Sequence, residues 1–320
     1  MSGRRLFALG SAGFGMFAAS LQAQSVRTAD SLLHQGILQR AEAEYYAAAR
    51  IHPRDPNARF ALGKYLLDRG AFRIGATLID EAIQFGYDKT AGSAVLARVY
   101  MNLGEYAAIE RLPAATLASD EAAQLRWLGA HPTRVTTTDS SVLVAFIRPS
   151  VDQYVGAVRL RVNGHALVAS ISSRSNCGLR VSDTSAVAHT LHRFPSSSPS
   201  AARVLGAADS IALGRVSISN VPVAMERFLD QTQAIVCFGM LARLAPTFDP
   251  RANLMTIHLA GVAPPPMNTS VVAPILDIDD QYTILRGGKW IPVASADAAA
   301  LLRDRRWTFD PRRRQITIDP

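Results

Sequence analysis

The chain has 320 residues, 48% of them hydrophobic and 19% charged, with 21 Gly, 17 Pro and a formal charge of +8. That length carries two ordinary domains or three small ones, and the composition excludes the disordered, collagen-like and disulfide-dense classes. The positive charge is almost entirely Arg, with Lys only at 64, 89 and 289, and it is scattered outside one C-terminal cluster. A solvated Arg-rich surface is therefore expected, and no nucleic-acid partner.

The first 24 residues have the make-up of a secretory signal. Arg4 and Arg5 precede an apolar run from Leu6 to Leu21, and Gln22-Ala23-Gln24 supplies a small residue at a cut site. The run is short and broken by Gly10, Gly13 and Gly15, and the paired arginines resemble a twin-arginine signal. No Cys follows the run, so no lipid anchor is expected. No later run of about 20 apolar residues exists, so no stable membrane span is expected after signal removal. The mature chain is expected in the periplasm or outside the cell. In that oxidising space the two cysteines, Cys177 and Cys237, point to one disulfide. Two thiols cannot build a four-thiolate zinc site, and His189 and His192 lack a third ligand in the sequence, so they read as helix decoration. No metal and no cofactor are expected.

Residues 25–131 are predicted to be helical hairpins. Gly36, Gly70 and Gly104 recur at intervals of 34 residues. Ala41, Tyr45 and Ala48 follow the first at the offsets at which Gly75, Ile79 and Ala82 follow the second. Leu62-Gly63 and Leu96-Ala97 precede the second and third, and Tyr100 and Tyr106 flank the third. The pattern over about 25–115 resembles the tetratricopeptide repeat, in which small residues let two antiparallel helices approach and aromatics fill the gaps. Pro53 and Pro56 stop one helix, and Asp55 and Asn57 can cap the next. Pro113 cuts the third repeat short, and residues 119–130 read as a solvent-facing capping helix. For this class the expected partner is a peptide or protein.

From Pro132 the period changes from helical to alternating, which predicts a β domain over 132–262 with one or two short helices. Val158 to Val162 alternates, Asn163-Gly164 is a type I′ turn signal, and Leu167 to Ile171 returns. Leu213-Gly214, Asn220-Val221-Pro222-Val223, Gly239-Met240-Leu241 and Phe248-Asp249 follow in order. Over about 155–260 this succession resembles a single-lobe, retropepsin-like aspartic protease domain. The resemblance implies an all-β barrel, and a homodimer through that domain, because each protomer would supply one of two carboxylates that share a proton.

The chemistry departs from the family. Counted from Gly164, the family's Asp falls at Ser172 or Ser173 and its Gly at Arg174 or Ser175. No Asp or Glu occurs between His165 and Ser182. A serine has no usable acid–base group near neutrality. The resemblance thus implies a pseudoenzyme, a binding or scaffolding unit without a catalytic residue. The alternative is an active aspartic endopeptidase that uses Asp183 in a displaced Asp183-Thr184-Ser185-Ala186 motif, against which Ser182 or Asp183 reads as a helix N-cap. The family fold also brings the loop holding Cys177 beside the strand holding Cys237, which implies that these two form the disulfide.

Pro264-Pro265-Pro266 reads as a linker to a β/α module over 263–320. Short strands around Leu276, Tyr282 and Trp290, a helix over Ala296–Arg303 and a last strand pair are predicted there. Thr308-Phe309-Asp310-Pro311 repeats Thr247-Phe248-Asp249-Pro250 at a distance of 61 residues. The module reads either as a truncated second copy of the β lobe or as a separate stalk-like unit. Its basic turn, Asp310 to Arg314, is expected to be an exposed hairpin tip.

Overall fold

A computed structural model of the chain describes residues 25–113, 117–137, 139–148, 156–172, 174, 178–194, 203–228, 232–242, 244–259, 262–278, 281–310 and 312–320. The proposed signal lies outside these residues. No helix among them is long and apolar enough to cross a membrane.

The N-terminal part is helical. Residues 25–34 form α1, followed by α2 (Leu38–Ile51), α3 (Pro56–Asp68), α4 (Phe72–Gln84), α5 (Lys89–Leu103), α6 (Tyr106–Ile109) and α7 (Ser119–Ala130). Gly36, Gly70 and Gly104 have φ of 73°, 83° and 72°, the left-handed region that only glycine enters cheaply, and each turns one helix into the next. Asp55 is the cap of α3, accepting from the Asn57 and Ala58 amides, and Pro56 opens that helix rather than ending the one before. Ala41, Tyr45, Ala48, Ala82 and Tyr106 are buried, and a side chain on Gly75 would strike Leu67 and the Gly63 carbonyl. Tyr45 and Tyr65 stack at 5.0 Å and donate to Asp30 and Glu42. Burial pushes both phenols well above their usual range.

The β part forms one continuous strand path. Strands β1 (Arg134–Thr136), β2 (Ser141–Arg148), β3 (Ala157–Val162), β4 (His165–Ser172) and β5 (Leu179–Ser182) come first. A 3₁₀ turn (Ala186–His189), β6 (His192–Arg193), β7 (Arg203–Leu213), β8 (Val216–Glu226), β9 (Ala234–Cys237), α8 (Phe238–Ala242), β10 (Thr247–Asp249) and β11 (Leu254–His258) follow. The C-terminal module holds β12 (Val271–Ile278), β13 (Gln281–Arg286), β14 (Lys289–Pro292), α9 (Ala296–Leu302), β15 (Trp307–Asp310) and β16 (Gln315–Ile318). The path runs β14-β13-β12-β16-β15-β10-β11-β2-β3-β4-β9-β5-β8-β7-β6, and an extra β3–β7 pairing closes the first lobe into a barrel. Asn163 and Gly164 both take positive φ, the signature of the type I′ turn between β3 and β4.

Three expectations are corrected. The module is not set apart at the proline linker, because β10 pairs with β15 and one buried core runs from Val142 to Ile318 across both. Helix α7 is not solvent-facing. It lies against β7 and β8, where the buried Gln124 amide donates to the Gly206 and Val223 carbonyls at 2.7 and 3.3 Å. The Asp310–Arg314 turn is not simply an exposed tip. Arg314 is only 6% exposed, and its guanidinium lies 5.0 Å from the Phe72 ring and 5.8 Å from that of Tyr282. That side chain docks the module on the turn between α3 and α4, where Gly70 leaves room for it. Trp290 adds a second tie, its indole N–H donating to the Leu33 carbonyl at 2.6 Å.

Candidate functional site

The floor of the first lobe forms where three strands meet. β4 and β9 run parallel, with Ser172 beside Cys237, and β5 returns antiparallel on the other side of β9, with Leu179 beside Val236. The alternation of β4 explains the placement: Leu167, Ala169 and Ile171 point into the barrel, so Ser172 ends the strand half-buried at the rim. The Arg174 amide donates to Ser172 Oγ at 3.4 Å, and its carbonyl accepts the Gly239 N–H at 3.2 Å, tying the loop to the start of α8. Arg174 also forms a β-bridge with Gln281 of the C-terminal module. The loop backbone is thus committed to α8 and to β13. The Arg174 side chain is exposed to solvent.

Ser173, Ser175 and Cys177 lie outside the described residues. Cys237 is fully buried, and its amide donates to the Gly178 carbonyl at 3.0 Å, so the residue after Cys177 lies opposite it.

Asp183 is not near this floor. It follows the last residue of β5, and four strand residues at about 3.3 Å each separate it from Gly178. Its amide donates to the Glu226 carbonyl at 3.0 Å, and its carboxylate lies 3.7 Å from Arg227. The capping residue is neither Ser182 nor Asp183 but Ser185, which accepts the Val187 amide.

The other described carboxylates of residues 132–262 are likewise engaged. Glu226 pairs with Arg180, Asp209 lies 2.9 Å from His192, Asp139 lies 3.8 Å from Arg215, and Asp249 accepts the Ala252 amide at 3.0 Å. His189 and His192 do not share a helix: His192 lies on β6, beside the Trp127 ring. Among the described residues no cluster of three metal-binding side chains occurs.

Sequence reasoning missed Gln124, Trp127 and Gln281, which join α7 and β13 to the lobe. Gln281 carries no motif, and a glutamine on an amphipathic helix reads as surface; only the aromatic Trp127 hinted at a covered face.

No family model and no curated protein matches the chain. Among solved structures it is similar to a retropepsin-like aspartic protease from Rickettsia conorii, at 12% identity and a TM-score of 0.27, covering 39% of this chain and 90% of that one.

Proposed function

We propose that this is an exported protein-binding or scaffolding protein in which a degenerate aspartyl protease lobe, joined to tetratricopeptide-like repeats, has kept its architecture and lost peptidase chemistry. The observation that carries the reading is the floor of the lobe. Ser172 ends β4, the resemblance puts the family's acid at Ser172 or Ser173, and Arg174 follows with its backbone engaged on both sides. A hydroxyl there can neither activate water nor protonate a carbonyl at working pH. Asp183 sits beyond the opposite end of β5, which speaks against the displaced motif.

In this reading the helical repeats hold a peptide or protein partner. Exposed Tyr46, Ile51 and Ile74 on α2 and α4 support it. A Cys177–Cys237 bridge would clamp the loop after Ser172, and the Cys237–Gly178 hydrogen bond supports that pairing. Mass spectrometry with and without reductant tests the bridge: an unreduced chain lighter than the reduced one by two hydrogen atoms supports it, and two alkylatable thiols in the unreduced chain count against it.

The test of function is the purified chain on unfolded substrate at acidic pH, with and without pepstatin. No pepstatin-sensitive cleavage is expected. Cleavage that pepstatin blocks and Asp183→Ala abolishes would establish the peptidase instead.

A further inference from the structure

The strand path is a mirror about one junction. On one side of it run β10-β11-β2-β3-β4, and on the other β15-β16-β12-β13-β14. The match extends to single residues at the 61-residue offset. Thr247 faces Thr256 and Asp249 faces Leu254 in one hairpin, as Thr308 faces Thr317 and Asp310 faces Gln315 in the other. Asp249 accepts the Ala252 amide, and Asp310 accepts the Arg313 amide, each at 3.0 Å.

Asn253 and Arg314, at the same offset, both take left-handed φ, 60° and 49°. Their carbonyls accept the Phe146 and Ile275 amides, each at 2.9 Å. β2 bends at Phe146 from β11 to β3, and β12 bends at Ile275 from β16 to β13. Asparagine takes this conformation readily and arginine uncommonly, so a left-handed arginine at the position that matches Asn253 supports a copied backbone.

The two copies meet face to face. β10 pairs antiparallel with β15, and Thr247 lies opposite Thr308, its own counterpart, with the two hydroxyls 2.8 Å apart. In a two-fold dimer the residue on the axis meets its own copy in this way. The contact has the core of an obligate interface: Phe248 stacks on Trp307 at 4.1 Å, and Phe238 meets Phe309 edge-on at 5.1 Å.

We infer that the C-terminal module is a truncated second lobe fused into the chain, and that it occupies the surface through which a single-lobe protein would meet a second copy of itself. The covalent half-lobe takes the partner's place, so the β domain does not homodimerise through this face. Only the interface core of the lobe is retained. β14 ends at Pro292 and α9 begins at Ala296, whereas the first lobe inserts β5 to β9 between β4 and α8. Among the described residues the half-lobe therefore has no counterpart of the β7–β8 hairpin, and the three residues that follow β14, Val293 to Ser295, carry no acid. This inference stands whether or not the first lobe binds or cleaves anything.

The test places thiols on the local axis of the full chain. In Thr247→Cys/Thr308→Cys, mild oxidation is expected to give a bridge between positions 247 and 308 within one chain, in at least tenfold excess over any linked dimer by peptide mapping. Thr247→Cys alone is expected to remain unlinked at that position. A folded double variant that forms no such bridge would overturn the inference, and so would a Thr247→Cys chain joined to a second copy through the introduced thiol. The single substitution is nearly isosteric, so it decides the question if the double variant fails to fold.

Discussion

The first lobe and the C-terminal module contain the same hairpin–helix–hairpin core, and they differ in everything that lies between. Between β4 and α8 the first lobe carries the strands β5 to β9 that close its barrel, while the module passes from β14 to α9 in three residues. What is common to the two is what packs: Leu241, Phe248, Met255 and Ile257 on one side correspond to Leu302, Phe309, Ile316 and Ile318 on the other, all buried. What is missing from the module is what a cleft needs. The part common to both is the buried core at which the two segments meet.

The sharpest way to break this comparison is at the junction. Trp307→Ala removes a side chain that is 1% exposed and stacked on Phe248. A loss of about 3–5 kcal/mol is expected in denaturant unfolding. Both lobes should melt together, because a single core spans them.

A second perturbation is electrostatic and lies where the module meets the N-terminal helices. Burial pushes the Asp68 carboxyl up to about 6; Asp277 adds to the rise, and Lys64, 3.1 Å away, and Arg314 oppose it. Between the unfolded value of 3.8 and about 6, the folded chain holds the proton more tightly. Stability therefore falls as pH rises through that window. The cost above it is on the order of 3 kcal/mol. Asp68→Asn should raise the unfolding free energy at pH 8 and flatten the dependence between pH 4 and 6; an unchanged slope would show that Asp68 is not its source.

Smaller effects separate the turns between the N-terminal helices. Alanine at Gly104 meets no atom within 4 Å and bears only the left-handed backbone, a cost of about 1 kcal/mol. At Gly36 the same substitution also drives a Cβ into Leu285 and the Gly288 carbonyl. Gly36→Ala should therefore cost more, and should loosen hydrogen exchange in β13–β14 as well as in the helices. Ser172→Asp should leave the chain without pepstatin-sensitive cleavage, since the reaction needs two carboxylates and the described ones of residues 132–262 are engaged away from the end of β4. Cleavage gained by that variant would mean a partner carboxylate is already in place.

Much of the fold was legible because local chemistry and tertiary structure agree. The three glycines at 34-residue intervals are left-handed turns between helices, Asn163-Gly164 is the hairpin turn, and the repeated Thr-Phe-Asp-Pro phrase marks two hairpins of matching register. The rest was hidden for physical reasons. Arg314 reads as surface because a charged turn residue ordinarily is, yet two aromatic faces from separate segments enclose it. α7 reads as a cap because Gln124 is polar, while its amide in fact joins two strand carbonyls more than 80 residues away in sequence. Asp183 looks like a displaced motif until β5 sets its distance from Ser172 and Arg174. The duplicated phrase indicated kinship between the two segments, but not that they pair with each other across a local axis.

The most direct measurement is the mass of the unmodified chain by light scattering from low to high micromolar concentration. A fused half-lobe predicts a monomer throughout, with no concentration dependence. A dimer that dissociates on dilution and is disrupted by Trp307→Ala would contradict it.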